Sequence, residues 1–150
     1  MSAADEVRHV GFTGSRTEPS PEQIDWLRQQ LAVLWLAGYR VLHHGDCTGA
    51  DAAAHRVAHD LGYRIMVHPP ENPKHRAFCD LTPVDYLLPE RPYLTRNRDI
   101  VDACEFLLAL PSGQEDNHSG TWYTIRYADD TGVPLAMLIR GTVPTQEVSL

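Results

Sequence analysis

Short apolar runs alternate with amphipathic segments along this chain. The segments repeat apolar residues at the three- and four-residue spacing of helices with one buried face, whereas the runs have the length of strands. The predicted strands are residues 7–13, 40–44, 64–68, 105–110 and 134–139. This alternation is typical of a parallel sheet with helices on its faces, so we expect one α/β domain over residues 1–150, with a peripheral tail at 141–150.

Local signals mark the ends of the first two helices. Ser20 and Gln23 form a capping-box sequence at the start of the first helix, and Gly38 follows its last turn. We expect Thr48 to cap the second helix, with Asp51 as the reciprocal acid of another capping box.

The second half of the chain repeats the pattern after a proline-rich stretch. Residues 71–94 contain four prolines, and we interpret this segment as a lid or as an oligomer contact. Thr95 is expected to cap a third helix that runs to about Ala103. A fourth helix should begin at Gly120 and end at Gly132.

Three glycine-rich turns follow predicted strands, and the carboxyl ends of parallel strands share one edge of a sheet. Glycine allows a ligand to approach the backbone closely, and amide groups at helix N-termini favour anions. We therefore expect these turns to bind a phosphate-bearing ligand. The candidate residues are Gly11, Thr13, Gly14, Ser15, Arg16, Gly45, Asp46, Thr48, Gly49, Asp51, Pro111, Ser112, Gly113, Ser119, Gly120 and Thr121.

Two arginines fall in the predicted first turn of the third helix, where they oppose the helix dipole. Such a conflict indicates a negative group nearby, and we add Arg96 and Asn97 to the ligand-binding candidates. Arg98 is interpreted as the partner of Asp102 on a solvated face.

Acidic residues in the turns are the candidates for chemistry. Asp46, Glu115 and Asp116 are candidate general acids or bases, and Asp46 alternatively holds a ribose hydroxyl. The sequence does not decide whether Glu115 and Asp116 reach a sugar, act in catalysis or point away. For Asp51, helix capping is favoured over catalysis.

The histidines and cysteines in the sequence do not lead us to predict a metal-binding site. His55 and His59 are four residues apart, as on a metal-binding helix face, but we interpret them as solvated. The three cysteines are scattered, so neither a disulfide framework nor a structural zinc site is expected, and a reducing compartment fits. Cys47, at a predicted helix start, is interpreted as a small packing residue.

The net charge of the chain limits the kinds of partner that it can bind. The chain has 13 lysines and arginines against 20 acids, a formal net charge of −7 that opposes nucleic-acid binding but allows a local anion pocket. No P-loop sequence is present. There is also no apolar run of membrane-spanning length and no signal-peptide core at residues 1–9. We therefore expect a cytoplasmic protein with no membrane partner.

Taken in order, the turns resemble the SLOG superfamily, which includes DprA, the LOG cytokinin-activating enzymes and YspA/YpsA-like proteins. The YspA-like branch is the most similar. The matching stretches are residues 11–16, 44–51, 96–101, 111–113 and 119–121. The resemblance implies a Rossmann-like fold and a pocket for a nucleotide, or for an NAD- or ADP-ribose-type ligand, with no other cofactor required. It also implies a homo-oligomer, because family members commonly self-associate.

One departure from the LOG pattern shapes the functional prediction. LOG enzymes carry a Pro-Gly-Gly-x-Gly-Thr stretch and then a catalytic glutamate, but Ser112 replaces a glycine here and Thr124 stands at the glutamate position. We therefore predict a sensor or binding domain for a nucleotide-derived small molecule. The alternatives are a hydrolase that cleaves an N-glycosidic or phosphate bond with a pocket carboxylate, and an interaction module assembled through residues 71–94.

Overall fold

A six-stranded parallel sheet forms the centre of the computed structural model, which describes residues 6–144. The strands are β1 (Arg8–Gly14), β2 (Tyr39–His44), β3 (Arg64–Val67), β4 (Tyr86–Leu87), β5 (Phe106–Leu110) and β6 (Leu135–Met137). They lie in the order β4-β3-β2-β1-β5-β6. The predicted α/β fold is confirmed, although the two-residue β4 was not predicted. Most of the tail predicted at 141–150 lies outside the described residues.

Two helices cover each face of the sheet. They are α1 (Pro21–Leu36), α2 (Ala50–Asp60), α3 (Tyr93–Asp102) and α4 (Gly120–Thr131). In β5, Leu108 and Leu110 join the large core under α1 and α2, whereas Leu107 and Ala109 join the cores under α3 and α4. A strand buried on both faces is apolar throughout, as the sequence of β5 indicated. None of these four helices is long and apolar enough to cross a membrane.

The predicted start and end of α1 are confirmed. The Ser20 hydroxyl accepts a hydrogen bond from the Gln23 amide at 3.2 Å, and the Gln23 side chain accepts one from the Ser20 amide at 3.1 Å. The Gln23 side-chain nitrogen also donates to the carbonyls of Pro111 and Leu138, both at 2.9 Å. The capping box therefore also ties α1 to the ends of β5 and β6. Gly38, at φ +96°, follows the helix as predicted.

The predicted cap of α2 is wrong. Gly49 is the N-cap, at φ +86° and ψ −120°, and no side chain caps this helix. A Cβ atom on Gly49 would overlap the backbone carbonyl of Arg16. The next residue, Ala50, donates its amide to the Ser15 carbonyl at 3.0 Å. The turn after β1 therefore packs against the start of α2, and only glycine fits where they meet.

The predicted start of α3 is also wrong. The helix begins at Tyr93, after an N-cap at Pro92, rather than after Thr95. Arg96 therefore stands at the fourth helical position, and the expected conflict with the helix dipole in the first turn does not arise. Arg98 does not pair with Asp102, because it donates to the Tyr123 hydroxyl of α4 at 3.1 Å.

The proline-rich segment contains two short elements. A 3₁₀ helix spans Pro73–His75, and β4 extends the sheet beside β3. The segment is fastened to the turn after β2, because Thr48 donates its amide to the His75 carbonyl at 2.9 Å and Ala77 donates to the Asp46 carbonyl at 2.6 Å. It is therefore attached to the carboxyl edge of the sheet, where the predicted site lies.

Candidate functional site

The three glycine-rich turns converge at the carboxyl edge of the sheet. The strand order reverses there, because β1 lies between β2 and β5. A crevice forms where the strand order reverses, and it is the usual position of the ligand in open α/β sheets. Three adjoining pockets open at this edge, and the side chain of Tyr93 lines all of them.

The outer pocket has a volume of about 320 Å³. It is lined by Gly14, Ser15, Arg16, Thr17, Tyr93, Ser112, His118, Ser119, Gly120 and Thr121. Ser119 caps α4 by accepting a hydrogen bond from the Trp122 amide at 3.3 Å. The amides at the start of a helix have no partner within it, so the N-terminus of α4 offers N–H donors and a positive dipole end. No aspartate or glutamate lines this pocket.

The inner pocket lies deeper, between the ends of β1 and β2 and the side of α3. It is lined by Phe12, Thr13, Gly14, Gly45, Cys47, Asp51, Tyr93, Arg96, Asn97, Ile100 and Thr121. Asp51 is its only acid, and the Asp51 carboxylate accepts a hydrogen bond from the Cys47 amide at 3.1 Å. Burial raises the pKa of Asp51 to about 6, against the opposing charge of Arg96. Burial also raises the pKa of the Cys47 thiol, which fits a packing role.

Arg96 links the ends of two strands. Its side chain is 2% exposed, and one guanidinium nitrogen donates to the carbonyls of Gly45 and His68. Its Nε donates to the Asn97 side-chain oxygen at 2.8 Å. A Cβ atom on Gly45 would lie 2.5 Å from the guanidinium. Arg96 and Asn97 thus reach the predicted site, but most donors of Arg96 are already bound to protein atoms.

The predicted acid Asp46 is turned away from the pockets. Its carboxylate is buried, and it accepts hydrogen bonds from Arg76 Nε at 2.8 Å and from the Cys79 amide at 3.0 Å. Burial alone would raise the pKa of Asp46, but the bonds from Arg76 and Cys79 outweigh it, and the pKa lies below its ordinary value. Asp46 therefore holds the proline-rich segment in place.

The other two predicted acids lie outside the three pockets. Glu115 pairs with Arg126 at 3.1 Å on the surface. Asp116 accepts a hydrogen bond from the His118 amide at 2.7 Å and so stabilises its own loop. The structure does not bring Asp46, Glu115 and Asp116 together.

The ligand-binding candidates divide into two groups. Those that line the outer or inner pocket are Thr13, Gly14, Ser15, Arg16, Gly45, Asp51, Arg96, Asn97, Ser112, Ser119, Gly120 and Thr121. Those that do not are Gly11, Asp46, Thr48, Gly49, Pro111 and Gly113. Gly11 serves packing instead, since a Cβ atom there would lie 2.9 Å from the sulfur of Cys104.

The third pocket, which we call the side pocket, was missed by the sequence prediction. It has a volume of about 110 Å³ and is lined by Arg16, Cys47, Pro70, Asn72, Lys74, His75 and Tyr93. Four of these residues come from the proline-rich segment, whose short elements leave no periodic pattern in the sequence. Tyr93 was missed because the predicted start of α3 lay after it.

The prediction of solvated histidines in α2 is wrong for His55, which is buried, whereas His59 is partly exposed. His44 Nδ1 accepts a hydrogen bond from the Asp46 amide at 2.9 Å, so the proton of neutral His44 lies on Nε2. That Nε2 faces His55 Nδ1 at 2.9 Å, and His55 Nε2 faces the Asp80 carbonyl at 2.7 Å. His59 is hydrogen-bonded as well, since its Nε2 lies 2.8 Å from a carboxylate oxygen of Asp85.

This hydrogen-bonded chain also bears on metal binding. His44, His55 and Cys79 have ligand atoms within 4.8 Å of one another, which is compatible with a metal site. However, the backbone amide of Asp46 can only donate, so neutral His44 has no lone pair left for a metal. The order of donors and acceptors along His44 and His55 therefore favours a chain of hydrogen bonds that links β2, α2 and the proline-rich segment, rather than a metal centre.

A second chain of imidazoles lies on the opposite face of β2. His43 Nε2 faces His9 Nδ1, and His43 Nδ1 faces His68 Nε2, both at 2.8 Å. Burial lowers the pKa of His43 to about 3 and that of His68 to about 4, so both rings are neutral at pH 7.

Comparison with known proteins shows the fold. No protein-family model matches the sequence, and no curated protein matches it. Among solved structures, the molybdenum cofactor binding protein of the phototrophic bacterium Rippkaea orientalis has a TM-score of 0.64 at 20% identity, over 90% of this chain and 78% of that one. The molybdenum cofactor carrier protein of Chlamydomonas reinhardtii gives 0.61 at 16% identity, over 90% and 79%.

DNA processing protein A (DprA) of Streptococcus pneumoniae is also similar. Its TM-score is 0.65 at 19% identity, over 93% of this chain but 52% of that protein. The Rossmann-like fold predicted from the sequence is therefore confirmed, and membership of the SLOG superfamily stays a prediction. The YspA-like branch stays a prediction.

Proposed function

We propose that this protein binds a nucleotide or a nucleotide-derived small molecule in the outer pocket, with contacts to the polar groups of the small inner pocket, as a sensor or binding domain. The observation that carries the proposal is the lack of any acid lining the outer pocket in a chain with a net charge of −7. The N-terminus of α4 and the guanidinium of Arg16 supply positive potential, and hydroxyls supply donors. This chemistry suits a phosphate group.

The inner pocket has a volume of about 20 Å³, which is room for a single water-sized group. Thr13, Asn97 and Asp51 offer polar atoms there to one hydroxyl group of a ligand whose remainder lies in the outer pocket. The centroid of the Tyr93 ring lies 5.9 Å from the Arg16 guanidinium carbon and 5.0 Å from that of Arg96, so this ring packs beside both cations at the mouth of the pockets. Binding of a small molecule is also consistent with the two molybdenum cofactor proteins that share the fold, whose names describe a bound cofactor.

Arg16→Gln is expected to weaken AMP binding by about tenfold or more, because it removes a charge-assisted hydrogen bond to phosphate. Arg16 is exposed and has no ion pair within residues 6–144, so the variant should fold normally. Isothermal titration with AMP measures the change. Arg28→Gln, an exposed substitution on α1, is the matched control and should keep wild-type affinity. The proposal fails if wild-type protein binds none of AMP, ADP-ribose and NAD at millimolar concentration.

A second candidate function is hydrolysis of an N-glycosidic bond, and the buried carboxyl of Asp51 favours it. A carboxyl with a pKa near 6 in a cleft is suited to general base chemistry. In the reaction, Asp51 takes a proton from water, the water oxygen bonds to the sugar C1′, and the C1′–N bond breaks. The departing base takes up one proton, which the protonated Asp51 supplies by way of solvent, and this regenerates the Asp51 carboxylate. In this hypothesis Asp51 is the general base, a role for which the sequence analysis named Asp46, Glu115 and Asp116 as candidates.

Asp51→Asn is expected to abolish base release from a nucleoside monophosphate, whereas wild-type turnover should rise as pH increases through about 6, where Asp51 loses its proton. Chromatography of the freed base measures both. Asp25→Asn, on the exposed face of α1, is the control and should leave the rate unchanged. Wild-type protein that releases no base over a long incubation would exclude this function without affecting the binding proposal.

The homo-oligomer and the cytoplasmic location stay predictions. Exposed apolar side chains within residues 78–94 favour an oligomer contact over a lid for this segment. They are Phe78, Leu81, Val84, Tyr86, Leu87, Tyr93 and Leu94. Sedimentation at two protein concentrations distinguishes a monomer from an oligomer.

A further inference from the structure

We propose that the ligand carries two anionic groups, and that Lys74 and His75 bind the second one in the side pocket, together with Arg16. This inference rests on the proposed function for the first group, which occupies the outer pocket. It assigns a binding role to residues that the sequence prediction did not include.

The positive charge of the side pocket is the main reason to expect an anionic group there. Arg16, Lys74 and His75 line it, and no aspartate or glutamate does. Within residues 6–144, neither Arg16 nor Lys74 forms an ion pair. Nearby arginines are paired, for example Arg76 with Asp46 and Arg91 with Asp99. Two uncompensated cations, Arg16 and Lys74, in a chain with 20 acids are what an anionic ligand would neutralise.

The backbone that carries Lys74 and His75 is held in a fixed position. The Asn72 side chain accepts a hydrogen bond from the Lys74 amide at 3.0 Å and so caps the 3₁₀ helix. The carbonyl of His75 accepts the amide of Thr48 at 2.9 Å, which fastens this turn to the loop before α2. Desolvation and then the charges of Arg16 and Lys74 lower the pKa of His75, so His75 is neutral at pH 7 and offers an anion an N–H donor, while Arg16 and Lys74 carry the positive charge. A preformed basic turn loses little conformational entropy when an anion binds.

One ligand can occupy both pockets. Arg16 and Tyr93 line the outer pocket and the side pocket alike, so the two spaces adjoin. For a first phosphate at the N-terminus of α4, we therefore expect a directly attached second phosphate to extend past Arg16 towards Lys74 and His75. The geometry points to ligands with a diphosphate group, such as a nucleoside diphosphate, rather than to monophosphates.

The test compares ADP with AMP by isothermal titration. Wild-type protein is expected to bind ADP about tenfold more tightly than AMP, because the second phosphate gains charge-assisted hydrogen bonds. Lys74→Gln should remove most of this preference and leave AMP affinity within about twofold of the wild-type value, since the single phosphate of AMP binds in the outer pocket, which Lys74 does not line. Arg28→Gln is the control and should keep the preference.

The outcomes separate this inference from the proposed function. Equal affinity for ADP and AMP in wild-type protein would overturn the two-anion ligand while supporting nucleotide binding. A Lys74→Gln variant that loses AMP affinity would also overturn it, because Lys74 would then act on the first phosphate. If neither nucleotide binds, inorganic pyrophosphate and phosphate replace them in thermal denaturation. Stronger stabilisation by pyrophosphate, lost in Lys74→Gln, would support the basic cluster for another ligand class, and equal stabilisation would overturn it.

Discussion

Gly49→Ala is expected to lower the free energy of unfolding by about 4 kcal/mol, because a strained backbone and a steric overlap add together. Gly49 has φ +86° and ψ −120°, a conformation that residues with a Cβ atom rarely adopt. The new methyl group would also overlap the Arg16 carbonyl, which belongs to backbone and cannot rotate away. The turn after β1 and the start of α2 would have to separate.

Urea denaturation followed by circular dichroism measures this loss. Gly113→Ala is the matched control: it makes the same chemical change, but no atom lies within 4 Å of the added Cβ. Its stability should stay within about 0.5 kcal/mol of the wild-type value. Equal midpoints for the two variants would show that the turn after β1 relaxes freely, contrary to the packing described above.

Arg96→Ala is expected to lower the free energy of unfolding by about 3–5 kcal/mol. The variant leaves the buried carbonyls of Gly45 and His68 without their donor and opens a space beside Asp51. Arg96→Lys should restore little of this stability, because an ammonium group cannot reproduce the planar set of donors that reaches both carbonyls and Asn97.

The same denaturation experiment decides the role of Arg96. Arg98→Ala, an exposed substitution two residues away, is the control and should cost less than about 1 kcal/mol. If Arg96→Ala keeps its stability and loses AMP binding, Arg96 contacts the ligand directly, as the sequence alone suggested. If stability and binding fall together, Arg96 positions the turns that bind.

The architecture could be predicted because its signals are local. The Ser20 and Gln23 capping box and the glycines after α1 and α4 need only their own helix, and they are where the sequence placed them. The caps at Thr48 and Thr95 failed for a tertiary reason. The turn after β1 provides the carbonyl that binds the first amide of α2, so Gly49 is favoured there for its small size rather than for a side-chain oxygen.

The site could be predicted in position but not in chemistry. Parallel topology brings the three turns to one edge whatever their side chains are. Asp46 and Asp51 stand in one turn, and the local sequence does not show which of them enters a pocket. That choice depends on Arg76, which lies 30 residues after Asp46 and binds its carboxylate. Lys74 and His75 were missed because hydrogen bonds to distant backbone, rather than periodicity, place them.

Some residues near the pockets are buried and maintain the fold, whereas others are exposed at the rim of the pockets. This difference affects how related proteins can diverge. Gly49, where the turn after β1 packs against the start of α2, and Arg96, buried beneath the pockets, maintain the fold, so we expect substitutions there to be destabilising whatever the ligand is. Arg16 and Lys74, at the rim, are exposed and form no ion pairs within residues 6–144. Substitutions at the rim are therefore tolerated by the fold. New ligand preferences can evolve there by single mutations while the glycine-rich turns stay recognisable.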